Sequence, residues 1–204
     1  GNTKYTAGAM RFSYENGDQL IDLLKNPDDE RIKDTDFGTY TNEKFSLDLL
    51  NFNDGRPLSP EQNILVSKSL ETIQWLATHN VKFEPIYSRQ SFLKDGKHIF
   101  WGGLTLASEN EGVGLFDQEL EAYLSLGGKI HYNSPVNKLI YENNEVSGVL
   151  VDNKSVEADA VILASGGFEA SDELRKLFIG DDWLKAKVRG TPNNTGDGLK
   201  MALD

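Results

Sequence analysis

The stretch Ala160-Val161-Ile162-Leu163-Ala164, followed at once by Ser165-Gly166-Gly167, constrains the fold more than any other part of the sequence. A continuous apolar run of this length reads as a strand buried on both faces, the habit of parallel sheets covered by helices. Small residues directly after such a strand let backbone N–H groups approach a phosphate or a ring edge. The expectation is an α/β protein with a ligand loop at a strand end.

The flanking pattern agrees. Leu115, Phe116, Leu120, Tyr123 and Leu124 form an amphipathic helical stripe that Gly127-Gly128 stops. Lys129–Tyr132 then reads as a short strand, parallel in type like Ala160–Ala164. Val136–Leu139, Val146–Val151 and Ser155–Ala158 read as a β-meander with polar turns at Asn143-Asn144 and Asp152-Asn153. Ser171 caps a short helix carrying Leu174, Leu177 and Phe178, closed by Gly180, and Thr195-Gly196-Asp197-Gly198 precedes another helix. Upstream, Asp18 is placed to cap a short helix, and a second helix is expected over about Thr41–Asn51. The clearest helix start is Ser59-Pro60-Glu61: a capping hydroxyl, a proline at the first helical position and an acid at the positive end of the dipole. Asn80 suits the left-handed conformation that closes such a helix. Lys94-Asp95-Gly96-Lys97 reads as a hairpin turn.

Charge and composition remove several function classes. A formal net charge of −11 argues against a nucleic-acid partner and gives no pull towards an anionic membrane. The chain has no cysteine, and its three histidines are scattered, so neither disulfides nor a metal-ligand pattern is expected. No apolar run approaches the roughly 20 residues of a membrane span. No leader sequence is visible at the start, so a cytoplasmic location is expected. Gly1-Asn2-Thr3 is not a natural initiation context, and a helical pattern runs off Asp204, so a piece of a longer protein is expected.

Three segments in this order resemble the FAD-binding domain of the fumarate reductase/succinate dehydrogenase flavoprotein family. Gly1-Asn2-Thr3 through Ala7-Gly8-Ala9-Met10 is similar to the family's Gly-Asn/Ser-Thr loop with its Ala-Gly-Gly. Ala158 to Phe168 resembles its A-x-x-V-V-L-A-T-G-G-F strand and loop, and Asn194 to Ala202 its A-T-G-D-G-x-x-M-A. Gly112 to Val149 is similar to its helix, strand and meander. Ala7 to Phe12, Arg89-Gln90, Phe100-Trp101-Gly102-Gly103 and Arg189-Gly190 look most like the tricarballylate dehydrogenase branch.

The resemblance implies a partial Rossmann-like FAD-binding domain with a β-meander and a helical insertion. It divides the chain into an FAD-contacting loop (1–17), the helical insertion (18–111) and the FAD-binding core (112–204). The cofactor contacts it implies are Asn2, Thr3, Ala7, Gly8, Ala9, Val136, Ala164, Ser165, Gly166, Thr195, Gly196 and Asp197. Trp101-Gly102-Gly103 and Arg89 could line the substrate side of the parent, and Arg11 and Arg189 could meet a carboxylate substrate or pair with nearby acids. The parent's implied chemistry is flavin-dependent oxidation or reduction of a C–C bond in a small carboxylate substrate.

Departures from the family pattern matter as much. The G-x-G-x-x-G fingerprint and its acidic ribose partner do not occur; Gly112-Val113-Gly114 lacks both a preceding buried strand and the third glycine. Position 9 is Ala where the family has Gly, and position 165 is Ser where it has Thr. No residue is assigned as catalytic and none as a metal ligand. FAD is therefore expected in the parent but not retained by this piece, which should be inactive alone. The resemblance also places strands from outside the piece between Lys129–Tyr132 and Ala160–Ala164, so a homodimer that covers the open edges is expected. Two alternatives stand beside this reading: a non-catalytic structural or interaction domain, and a 3-ketosteroid-dehydrogenase-like flavoenzyme.

Overall fold

Ser59 starts the longest helix as expected, but its partner is Gln62. The Ser59 side chain accepts from the Gln62 N–H at 3.2 Å, and the Gln62 side chain accepts from the Ser59 N–H at 3.0 Å, a reciprocal capping box with Pro60 at the first turn. The computed structural model describes residues 1–204. The chain forms two units: Thr3–Gly128, and Lys129–Asp204 together with Gly1–Asn2.

The Thr3–Gly128 unit contains β1 (Ala9–Met10), α1 (Asp18–Ile21), β2 (Thr35–Asp36), α2 (Asn42–Phe52), α3 (Pro60–Thr78), β3 (Phe83–Pro85), α4 (Tyr87–Gln90), β4 (Ser91–Lys94), β5 (Lys97–Phe100), β6 (Leu106–Ser108) and α5 (Glu111–Ser125). Strands β1 and β3 flank β6, both antiparallel to it. β5 pairs antiparallel with β4 through the Asp95-Gly96 turn and parallel with β2. Phe12, Tyr14, Leu20, Phe45, Ile73, Phe83, Leu106 and Leu115 belong to one buried cluster, and every member of that cluster lies in this unit. Within it the Tyr14 hydroxyl donates to the Phe37 carbonyl at 2.8 Å and lies 2.9 Å from Thr105 Oγ1, so the buried phenol is fully used.

The other unit contains β7 (Val136–Glu142), β8 (Glu145–Val151), β9 (Lys154–Glu157), α6 (Asp172–Ile179) and α7 (Asp197–Leu203), with a 3₁₀ turn at Asp181–Lys185. The three strands form the expected antiparallel meander, with β7 and β9 at its edges. Ser171 caps α6 through the Leu174 N–H, as its position implies. Leu174 is this unit's one large buried hydrophobic side chain.

The mixed α/β class holds, but three local expectations do not. Lys129–Tyr132 and Ala160–Ala164 are not strands. A strand exists only by laddering with a neighbour, and the meander pairs within itself, so neither segment has one. Ile162 is consequently 89% exposed and Tyr132 71%. Asp18 is the first helical residue of α1 and makes no capping bond; Gly17 occupies the cap. No helix is long and apolar enough to cross a membrane.

Candidate functional site

Ala164, Ser165 and Gly166 sit exposed in the turn between the apolar run and α6. The second motif, Asn194 to Gly198, folds against this turn. The Gly196 N–H donates to the Gly167 carbonyl at 3.0 Å, and the Ala170 N–H donates to the Asn194 carbonyl at 2.9 Å. The Asn194 side-chain amide also donates to the Glu169 carboxylate. That bond favours the charged form and holds the Glu169 carboxyl below its ordinary range. Two motifs some thirty positions apart in sequence therefore form one double loop.

Glycine is required at the contact. Gly166 has φ of +84°, and a Cβ there would lie 2.6 Å from Asn194 Oδ1; at Gly198 a Cβ would collide with Ser165 Oγ. Gly196 and Gly198 are buried by this packing, while the N–H groups of Ser165, Gly166 and Gly167 make no hydrogen bond within the chain. The exposed amides offer donors to a ligand rich in acceptor oxygens, with no side chain in the way. Asp197 opens α7 and accepts from Thr195 Oγ1 at 2.9 Å, so its carboxylate is held beside the loop.

The remaining expected contacts divide between the two units. Asn2 joins the double loop's unit: its Oδ1 accepts from the Thr191 N–H at 2.8 Å. Val136 opens edge strand β7 and pairs with Val151. Thr3, Ala7, Gly8 and Ala9 belong to the other unit. There the Gly8 carbonyl accepts from the Ser108 N–H at 2.9 Å, the Thr6 carbonyl accepts from the Gly112 N–H at 3.0 Å, and Ala9 pairs with Ala107. Of the three arginines, Arg11 lies 3.6 Å from Asp48 and Arg89 pairs with Glu111 at 2.9 Å. Arg189 makes no ion pair.

Sequence reasoning missed Glu169, Asn194 as a clip, and Arg175. The first two form a long-range pair that no local spacing encodes. Arg175 sits next to Leu174 on α6 and could have been suspected as an arginine at the border of an apolar face. No group of His, Asp and Glu side chains could hold a metal ion.

A family profile described as an FAD binding domain matches residues 34–204. The chain belongs to that family. Its members bind FAD, and the double loop fits such a group: the Ser165–Gly167 residues are exposed and their N–H groups have no acceptor within the chain. Among curated proteins, an NADH:acrylate oxidoreductase of Vibrio harveyi is 26% identical over 153 residues, covering 67% of this chain and 14% of that protein. Among solved structures, the open conformation of a flavocytochrome c3 fumarate reductase superposes with a TM-score of 0.69 at 20% identity. That match covers all of this chain and 33% of the other, and it is a likeness of fold.

Proposed function

We propose that this chain supplies FAD-binding segments to a flavin-dependent oxidoreductase that acts on the C–C bond of a small carboxylate. The supporting observation is the double loop, in which Gly196 N–H and Gly167 O lock two glycine motifs and leave the Ser165–Gly167 amides free. Ala164, Ser165, Gly166, Thr195, Gly196 and Asp197 would hold the cofactor, with Asn2 fixing the Thr191 backbone beside them. When bound, FAD supplies two-electron redox chemistry at the C–C bond. The amides bind and orient acceptor oxygens. Asp197, held by Thr195, would offer its carboxylate as an acceptor to a donor group of the ligand. The relatives' named activities, on acrylate and in a fumarate reductase, support an unsaturated acid as the oxidant. The motif likeness around Arg89 and Arg189 favours a polycarboxylate, an unsaturated one as oxidant or its saturated, tricarballylate-like counterpart as reductant in the reverse direction.

The test is a spectrum of the intact protein. The expected result is bound flavin whose absorbance bleaches on chemical reduction and recovers when fumarate, acrylate or another unsaturated carboxylate is added. A colourless protein, or a reduced flavin that none of these acids reoxidises, contradicts the proposal.

A further inference from the structure

Arg11 differs from every other arginine of the chain in how its donors are spent. A guanidinium offers two parallel N–H bonds along its Nε–Nη2 edge, a spacing that the two oxygens of a carboxylate match. Arg31 commits that whole edge to Asp29. Arg89 commits Nη2 to Glu111, Arg56 commits Nε to the Asn53 carbonyl, and Arg175 commits Nη2 to Asp172. Arg189 makes no ion pair or side-chain hydrogen bond, so nothing in the chain orients it.

Arg11 combines an anchored guanidinium with a free edge. Its Nη1 donates to the Tyr40 hydroxyl at 3.1 Å, while Nε and Nη2 have no acceptor in the chain. The side chain is 41% exposed, where an arginine ordinarily samples many rotamers. The anchor itself is rigid. Tyr40 is buried, and its backbone exchanges hydrogen bonds with Tyr14 at 2.8 and 3.0 Å. A Cβ at Gly103 would collide with the Tyr40 ring, so glycine there lets the ring pack closely. Burial, and the bond to Asp48, push the Tyr40 phenol above its ordinary pKa, so it stays protonated.

The charges leave the free edge positive. Asp48 is the one acid that pairs with Arg11, and it lies on the anchored side. Its Oδ2 accepts from the Tyr40 hydroxyl at 2.6 Å and stands 3.6 Å from Arg11 Nη1, beyond direct hydrogen-bond range. Tyr40 therefore takes one bond from Arg11 and gives one to Asp48, which fixes the guanidinium from one end only.

We infer that Arg11 binds a carboxylate of the substrate, its Nε–H and Nη2–H donating side-on to the two oxygens, with Tyr40 as the positioning residue. The inference rests on the carboxylate reading above, and every group in it belongs to the Thr3–Gly128 unit.

Calorimetric titration of the intact protein with tricarballylate and succinate reads this contact without turnover. Arg11→Gln should weaken binding at least tenfold. Arg11→Lys, which keeps the charge but not the two-bonded edge, should recover only part of the loss. Tyr40→Phe should weaken binding several-fold in the wild-type background and have no further effect beside Arg11→Gln, because Tyr40 acts through Arg11. A wild-type protein that binds neither acid would overturn the inference. So would an Arg11→Gln or Arg11→Lys protein that binds like the wild type, or a Tyr40→Phe loss that persists undiminished without Arg11. A flavin that no unsaturated acid reoxidises, alongside binding that depends on Arg11, would count against the redox reading alone and support the carboxylate contact.

Discussion

The Gly196 N–H donates to the Gly167 carbonyl at 3.0 Å, and with the bonds from the Ala170 N–H to the Asn194 carbonyl and from the Asn194 amide to Glu169 it makes a single loop out of two glycine motifs. A side chain at Gly166 would disturb it, because its φ of +84° is left-handed and the Asn194 side chain fills the space a Cβ needs. Gly166→Ala should cost about 1–2 kcal/mol in backbone strain alone. Urea denaturation followed at Trp183 would measure it, and a loss well below that range would mean the turn relaxes freely.

The Glu169–Asn194 contact gives the double loop a pH dependence. The Asn194 amide stabilises the carboxylate, so the folded-state pKa lies below the ordinary value. Its contribution is complete above the ordinary carboxylate range and is lost as pH falls through the depressed folded value. The Asn194 and Gly196 NMR resonances should therefore hold steady from neutral pH through the ordinary carboxylate range and move only below it. Glu169→Gln, which keeps an acceptor oxygen but cannot titrate, should remove that step while leaving the rest of the acid transition.

The two units should differ in how they respond to core truncation. Phe83 is 1% exposed within the large cluster, and Phe83→Ala should cost about 3–5 kcal/mol. Leu174 is the sole large buried hydrophobic of its unit, and Leu174→Ala should cost about 2–5 kcal/mol. Fluorescence of Trp183 reports one unit, and that of Trp75 and Trp101 the other, once the remaining tryptophans are replaced by Phe. Leu174→Ala should shift the Trp183 transition well ahead of the others; coincident transitions would show that the units unfold together.

The exposed Ala160–Ala164 segment carries unpaired backbone and an Ile162 that is 89% exposed. Such a segment invites pairing with another chain. The chain studied alone should form a concentration-dependent homodimer, visible by light scattering over a dilution series. Ile162→Asp should return it to monomer. A wild-type chain that is monomeric at every concentration would remove this expectation.

Local signals in the sequence were legible wherever the structure is made by neighbours. The Ser59 cap, the Asp95-Gly96 turn, the meander and the Ser171 cap each depend on residues a few positions apart. Lys129–Tyr132 and Ala160–Ala164 failed for the complementary reason. Their apolar pattern states what they would bury, but strand formation needs a ladder partner, and the meander supplies none. At the site, the motifs identified Ser165–Gly166 and Thr195–Gly196 as loop, but the helix expected after Gly198 begins two residues earlier, at Asp197. They could not reveal that Asn194, Glu169 and Gly167 join them, because those bonds are matters of tertiary contact.

FAD affinity of the intact protein, measured by titrating the flavin-free form and following flavin fluorescence, tests the central claim most directly. The account predicts that Gly166→Val and Gly198→Val each weaken FAD binding at least tenfold, about 1.4 kcal/mol, while the 204-residue chain alone binds weakly or not at all. Variants that bind FAD as tightly as the wild type would contradict it, since the double loop would then have no part in holding the cofactor.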